Sequence, residues 1–149
     1  MRKKLTVLLV CLLIVALAAP GAFALRDQYD EEIEYITPMD LEFELEMSEI
    51  GEDIVVIDVR TEDEFQAGHI PGSVRVDGAL LGLRIDDHAD EDTKVVITCL
   101  GGGRAIFSTK LVQDLGYDVY NLEGGFRAWA QEGYPVQTDH GIFTLEEWE

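Results

Sequence analysis

Two short runs of β-branched residues constrain the fold most strongly. Ile54-Val55-Val56-Ile57 and Val95-Val96-Ile97 are continuously apolar and lack the alternation of a strand with one face in water. Such runs are typical of parallel strands that are buried on both faces. Strand and helix patterns alternate along the chain, so we predict an α/β domain of three layers. A central, mainly parallel sheet is expected, with helices on both faces and right-handed crossovers.

Local signals place the first elements of this domain. Tyr35-Ile36 predicts a short strand. Thr37 is a typical N-cap and Pro38 follows it at the first helical position, so a helix begins here. This helix is expected to end near Gly51, and its apolar positions are Leu41, Leu45 and Met47.

The chain from Thr61 onwards continues the alternation of helix and strand patterns. The predicted elements are, in chain order, a short helix capped by Thr61 with Glu64 closing a capping box, a tight turn Gly68–Ser73, a brief strand Val74–Val76, one or two helical turns near Leu80–Ile85, a helix Ala105–Leu115 with Gly116 as its C-cap, a strand Val119–Leu122 and a short helix Phe126–Gln131. Residues 133–149 are expected to form a tail in which Phe143, Leu145 and Trp148 pack back on the domain.

A glycine-rich loop between the second buried run and a helix start is the candidate site. It consists of Cys99, Leu100, Gly101, Gly102, Gly103 and Arg104. Amides at a helix start lack intrahelical partners, and successive glycines let them curl into an anion-binding nest. The helix dipole and Arg104 add positive charge, which favours a nucleophilic thiolate at Cys99. The alternative is a buried structural cysteine beside a tight turn.

The first residues resemble an export signal. Three basic residues precede the apolar run Leu5–Ala19, and Ala22-Phe23-Ala24 is a small-x-small cleavage site. We predict cleavage after Ala24 and a periplasmic or extracellular protein, with retention as a membrane anchor as the alternative. Cys11 is a poor lipidation site because Val10 precedes it.

Four regions are therefore expected. They are a signal peptide at 1–24, an acidic and mobile lead-in at 25–34, the α/β domain at 35–137 and a tail at 138–149.

Charge and cysteine content limit the partners of the mature chain. The formal charge is −19, and it becomes −22 without residues 1–24, which carry three basic and no acidic side chains. This balance argues against nucleic acid and anionic membranes as partners. Cleavage would leave Cys99 as the only thiol, so no internal disulfide is possible. The scattered His69, His88 and His140 give no zinc-ligand spacing, so neither a metal nor a cofactor is predicted.

Three segments together resemble the rhodanese-like sulfurtransferase family, in its single-domain exported form. The first comprises Asp58-Val59-Arg60, Glu64-Phe65 and Gly68-His69-Ile70-Pro71-Gly72-Ser73, the second is the Cys99–Arg104 loop, and the third runs from Gly116 to Trp129 through Asn121-Leu122-Glu123-Gly124-Gly125. The match covers roughly residues 35–137. Each segment is weak by itself, and their common order makes the resemblance specific.

The resemblance implies sulfur transfer through a persulfide on Cys99. The thiolate would take the outer sulfur of thiosulfate or a similar donor, and an acceptor such as cyanide, a thiol or a protein partner would remove it. The amides of the Cys99–Arg104 loop would stabilise the charge on the outer sulfur. Arg104 would either orient the anionic donor or hold the loop by bonding to it.

Other residues of the three segments have mainly structural interpretations. Asp58 and Arg60 either shape the wall of the site or form an internal ion pair, and the ion pair is favoured. His69 is expected to stabilise its turn rather than act as an acid or base, because a thiolate needs no base. Gly124-Gly125 is expected to serve close backbone packing, and Trp129 to lie in the core.

Two alternative functions remain open from the sequence. A non-catalytic sulfur carrier or protein-binding module would have the same fold. A phosphatase or arsenate reductase is disfavoured, because only four residues separate Cys99 from Arg104 and related phosphatases have one more. The three loop glycines and the acidic surface depart from the family pattern. If the negative charge reaches the mouth of the site, an uncharged or protein-bound donor would replace thiosulfate.

Overall fold

The computed structural model describes residues 21 and 23–144. Its domain contains the strands β1 (Glu34–Ile36), β2 (Ile54–Asp58), β3 (Val74–Arg75), β4 (Lys94–Thr98), β5 (Val119–Leu122), β6 (Val136–Thr138) and β7 (Gly141–Phe143). Its helices are α1 (Pro38–Met47), α2 (Glu62–Ala67), α3 (Leu81–Arg84), α4 (Ala105–Asp114) and α5 (Gly125–Gln131), and a 3₁₀ turn (Ile85–Asp87) follows α3.

The central sheet has five parallel strands in the order β1-β5-β4-β2-β3. Both β-branched runs lie in its middle, and all five residues of β2 are buried. Alternate residues of these strands enter two separate cores: Val55 and Val95 pack with α3 and α4, whereas Val56 and Val96 pack with α1 and α5. The predicted three-layer α/β fold, with helices on both faces of the sheet, is confirmed.

The first helix of the domain is shorter than predicted. Thr37 caps it, since its Oγ1 accepts a hydrogen bond of 3.1 Å from the amide of Asp40. It ends at Met47 rather than near Gly51, because Ser48 is extended. Leu41 is fully buried, but Met47 is 74% exposed and does not belong to the core.

Residues 23–32 form a helix where the sequence predicts an acidic lead-in without periodicity. Most of the side chains in this unit are exposed. The Gln28 amide donates to Glu32 one turn later, a contact that supports a helix without any apolar face. The mobility of this segment stays a prediction.

The chain after α5 is more ordered than a tail. Strands β6 and β7 pair as an antiparallel hairpin, so the predicted boundary at residue 137 falls within β6. Gln137 also exchanges two backbone hydrogen bonds with His69, which fixes the hairpin beside the turn after α2. Phe143 is half-buried. Most of the predicted signal segment (residues 1–20 and 22), together with Leu145 and Trp148, lies outside the described residues. No helix in the described part is long and apolar enough to cross a membrane.

Candidate active site

The candidate residues meet at the carboxyl edge of the sheet. Asp58 and Thr98 are register partners at the ends of β2 and β4. The segment Asp58 to Arg60 and the Cys99–Arg104 loop therefore leave the sheet side by side. This is the edge at which open parallel sheets place their sites.

Hydrogen bonds from α5 and β5 fix three carbonyl groups of the loop. Cys99 O accepts from the amide of Phe126 at 2.8 Å, and Leu100 O accepts from the amide of Arg127 at 2.9 Å. Gly102 O accepts from Asn121 Nδ2 at 3.2 Å. Because several carbonyls are fixed in this way, the orientation of the loop backbone is set by α5 and β5.

The amide groups of the same loop have no acceptor in the part of the chain that the structure describes. Among residues 21 and 23–144, no acceptor is bonded to the amides of Leu100 to Arg104. Cys99 itself is only 1% exposed, and Gly101 lies at the surface beside it. A buried thiol next to several free amides is an arrangement that binds and stabilises a negatively charged atom.

Gly125 is required by the close approach of α5 to the loop. Its φ is +64°, and an added Cβ would lie 2.4 Å from Cys99 O and 2.6 Å from Gly102 N. Gly102 has φ +81° and itself lies near Leu122 O. The predicted role in close backbone packing is confirmed for Gly125. At Gly124, which has φ +67°, an added Cβ would instead lie 2.5 Å from the Ala128 side chain.

Arg104 forms a bidentate ion pair with Glu64 of α2. Its Nη1 and Nη2 donate to Glu64 Oε2 and Oε1 at 3.0 and 2.7 Å. These bonds, with the Thr61 amide, lower the pKa of Glu64 to about 2. They also raise the pKa of Arg104, to which the nearby Cys99 side chain contributes further. Among the described residues, the Arg104 side chain thus bonds a neighbouring helix rather than the loop backbone.

Asp58 and Arg60 form a second ion pair, which is fully buried. Arg60 Nε and Nη2 donate to Asp58 Oδ2 at 2.8 and 2.7 Å, and Nη2 also donates to Gly68 O at 2.7 Å. The guanidinium lies 4.1 Å from the centre of the Phe126 ring. This is the internal ion pair that the sequence favours, and it joins β2, the turn after α2 and the start of α5.

The other candidate side chains have structural partners. His69 Nδ1 donates to Phe65 O at 2.9 Å, and the two rings stack at 3.8 Å. This contact agrees with the expected turn-stabilising role. Trp129 is buried as predicted, and its Nε1 donates to Pro135 O at 2.7 Å. Within the described residues, no group of three His, Cys, Asp or Glu side chains is placed to hold a metal ion.

Two contributors to the site were not assigned to it from the sequence. Glu64 closes the predicted capping box with Thr61, but its carboxylate also bonds Arg104. Asn121 is fully buried in β5, and its Oδ1 has no partner among the described residues. A polar residue within an otherwise apolar strand is the signal that could have identified Asn121. No local signal pointed to the contact between Glu64 and Arg104.

The fold and the loop define a class of α/β domain in which a buried cysteine lies among free amides at the carboxyl edge of a parallel sheet. The sequence profile of the Rhodanese-like domain matches residues 42–132. The chain belongs to this family, as the sequence resemblance predicts.

Named relatives support sulfur transfer as the general activity. A sulfurtransferase of Allochromatium vinosum is 34% identical over 91 residues, which cover 60% of this chain and 84% of the relative. The thiosulfate sulfurtransferase GlpE of Pseudoalteromonas translucida is 34% identical over 79 residues, covering 52% and 74%.

Solved structures are similar in fold. A Rhodopseudomonas palustris protein of unknown function, described as a possible tyrosine phosphatase, has 33% identity and a TM-score of 0.67, covering 76% of this chain and 92% of its own. A rhodanese-related protein of Thermoplasma volcanium has 26% identity and a TM-score of 0.63, covering 71% and 99%.

Proposed function

We propose that the protein is a sulfurtransferase that carries sulfane sulfur as a persulfide on Cys99. The observation that supports this most directly is that the amides from Leu100 to Arg104, which directly follow a buried thiol, have no acceptor among the described residues. The named relatives, which include thiosulfate sulfurtransferases, support the same general chemistry.

The proposed reaction has two displacements. The Cys99 thiolate attacks the outer sulfur of thiosulfate, a sulfur–sulfur bond forms, and the bond to the inner sulfur breaks with release of sulfite. The acceptor, cyanide or a thiol, then attacks the outer sulfur of the persulfide and the Cys99 thiolate leaves. The free loop amides stabilise the charge on the outer sulfur between these steps.

The ion pair at the loop determines how an anionic donor is received. Arg104 ends the loop that begins with the Cys99 thiol, and Glu64 neutralises its charge. A doubly charged donor therefore meets a balanced pair rather than a free guanidinium. Thiosulfate is expected to react, with an efficiency limited by this neutralisation and by the acidic surface.

Export is a separate part of the proposal. The basic residues and apolar run of residues 1–24 support cleavage after Ala24 and a periplasmic or extracellular location. Small sulfur donors and acceptors, and a protein partner that receives sulfur, are the proposed partners.

Steady-state turnover tests the proposal. Full-length protein incubated with thiosulfate and cyanide is expected to form thiocyanate over many cycles, and Cys99→Ser is expected to form none. One equivalent followed by arrest would instead identify a sulfur carrier. Hydrolysis of an aryl phosphate by the wild type, without thiocyanate formation, would overturn the proposal in favour of a phosphatase.

A further inference from the structure

A cavity of about 340 Å³ lies beside the active-site loop, between α2 and α5. We propose that it binds the uncharged organic group of a thiol that accepts sulfur from Cys99. This inference rests on the proposed function and names the acceptor class.

The lining of the cavity is mainly apolar. Leu100 contributes from the loop, Phe126 and Ala130 from α5, Val136 from β6, and Ala67 from the end of α2. Binding sites for small organic molecules are typically concave and apolar and begin at about 300 Å³. Cyanide and sulfite have no apolar group for such a space to bind.

The two charged side chains that line the cavity are both paired. Arg60 is bonded to Asp58, and Glu64 is bonded to Arg104. The cavity therefore offers neither a free cation to a carboxylate nor a free anion to an amine. This balance favours an uncharged organic group over a charged one.

The cavity is joined to the Cys99–Arg104 loop at both ends of the loop. Leu100 follows Cys99 directly, and its carbonyl is held by Arg127 at 2.9 Å. On the other side, Glu64 bonds Arg104, the last residue of the loop, at 2.7 Å. A ligand in the cavity would thus lie next to the loop that carries the outer sulfur.

The transfer is balanced without another reactant. The acceptor thiolate attacks the outer sulfur of the Cys99 persulfide and forms a new sulfur–sulfur bond. The bond between the two persulfide sulfurs breaks, and its electron pair returns to Cys99 as a thiolate. The proton lost by the acceptor thiol returns to solvent or to Cys99, and the product is an organic persulfide.

The length of the alkyl chain on the acceptor thiol tests directly whether the cavity binds the acceptor. Full-length protein is loaded with thiosulfate, desalted and mixed with ethanethiol or butanethiol, which differ in tail but little in thiol acidity. The second-order rate constant for discharge is expected to be about tenfold larger for butanethiol, because two further methylenes are buried. Mercaptoacetate and cysteamine, with charged groups, are expected to react more slowly than butanethiol when each rate is expressed per thiolate.

Filling the cavity provides the matched variant. Ala67 is exposed at the end of α2, so Ala67→Leu is expected to fold and to bring the ratio of butanethiol to ethanethiol rates close to one. Ala130→Leu fills the cavity from α5 and is expected to act in the same way. Ala79→Leu adds the same bulk at an exposed position elsewhere and is expected to keep the wild-type ratio.

Two outcomes overturn the inference in distinguishable ways. If cyanide discharges the persulfide but butanethiol reacts no faster than ethanethiol, the cavity does not bind the acceptor. The same conclusion follows if butanethiol keeps its higher rate constant in both cavity-filling variants. If no persulfide forms and cyanide produces no thiocyanate, the proposed function fails and the inference fails with it.

Discussion

Two arginine–carboxylate pairs flank the same loop in different environments. The Asp58–Arg60 pair is buried, with side chains 0% and 2% exposed. The Glu64–Arg104 pair lies at the surface, with side chains 31% and 49% exposed. The two pairs have similar shortest contacts, both 2.7 Å, so distance alone does not separate them.

Burial gives the two pairs different roles. Removing one partner of a buried pair leaves an uncompensated charge in the interior, which is strongly destabilising. An exposed pair exchanges readily with water and contributes little to stability. The buried Asp58–Arg60 pair, here the inner pair, therefore fixes the walls around the loop. The exposed Glu64–Arg104 pair, here the outer pair, adjusts the charge next to Cys99 and contributes little to the stability of the fold.

Breaking the inner pair is expected to have the largest effect on stability. Asp58→Asn keeps the shape of the side chain but leaves Arg60 buried without a counter-charge. The free energy of unfolding, measured with urea, is expected to fall by about 3–5 kcal/mol. Glu64→Gln makes the same chemical change in the outer pair and is the control. Equal losses in the two variants would contradict the comparison.

The contact between α5 and the loop is expected to be nearly as sensitive. Gly125→Ala places a Cβ 2.4 Å from Cys99 O at a positive φ. Overpacking and backbone strain together are expected to lower the free energy of unfolding by about 2–4 kcal/mol.

Gly101→Ala is the matched control for stability. Its Cβ would meet no atom within 4 Å, so the unfolding transition is expected to stay close to that of the wild type. If Gly101→Ala destabilised the protein as much as Gly125→Ala, strain within the loop itself would replace the contact with α5 as the explanation.

Removing the negative charge that neutralises Arg104 is expected to raise the kcat/KM for an anionic donor. Glu64→Gln removes the negative charge that neutralises the guanidinium. The kcat/KM for thiosulfate, with cyanide as acceptor, is expected to rise about threefold to tenfold at low salt. This gain is expected to shrink as salt is added, because salt screens the attraction. A lower kcat/KM would show that Glu64 helps the donor rather than opposing it.

The effect of the outer pair on stability is expected to be small and dependent on pH. At neutral pH, Glu64→Gln is expected to cost at most about 1 kcal/mol, because the pair is exposed. Folding lowers the pKa of Glu64 from 4.5 to about 2. The stabilisation is therefore fully present above pH 4.5 and is lost as the pH falls towards 2.

Unfolding curves at several pH values check this sign. The difference between wild type and Glu64→Gln is expected to narrow as the pH falls from 5 to about 2. A difference that widens in acid would show that the ionised Glu64 carboxylate does not stabilise the folded state.

Local patterns predicted the sheet and the position of the loop. The β-branched runs around Val56 and Val96 require burial on both faces, and only a covered parallel sheet supplies it. The Thr61–Glu64 capping box depends on residues three apart, so it was also visible in the sequence. Cys99 could be placed between the end of a strand and the start of a helix, because the patterns on both sides of it are also local.

Contacts between distant segments could not be predicted in this way. Glu64 and Arg104 are 40 residues apart, and their pairing depends on how α2 and the loop are placed by separate strands. The β6–β7 hairpin has three-residue strands of mixed polarity, and its position is set by bonds between Gln137 and His69. Neither the Glu64–Arg104 pair nor the hairpin produces a periodic pattern of apolar residues in the sequence.

Formation of the Cys99 persulfide is observed in the intact mass of the full-length protein after incubation with thiosulfate and desalting. We expect a gain of one sulfur atom that cyanide removes and that peptide mapping locates at Cys99. Cys99→Ser, which keeps Cys11, should gain none. If the wild-type protein gains no sulfur although its Cys99 can still be alkylated, Cys99 does not accept sulfur from thiosulfate and the proposed persulfide is wrong.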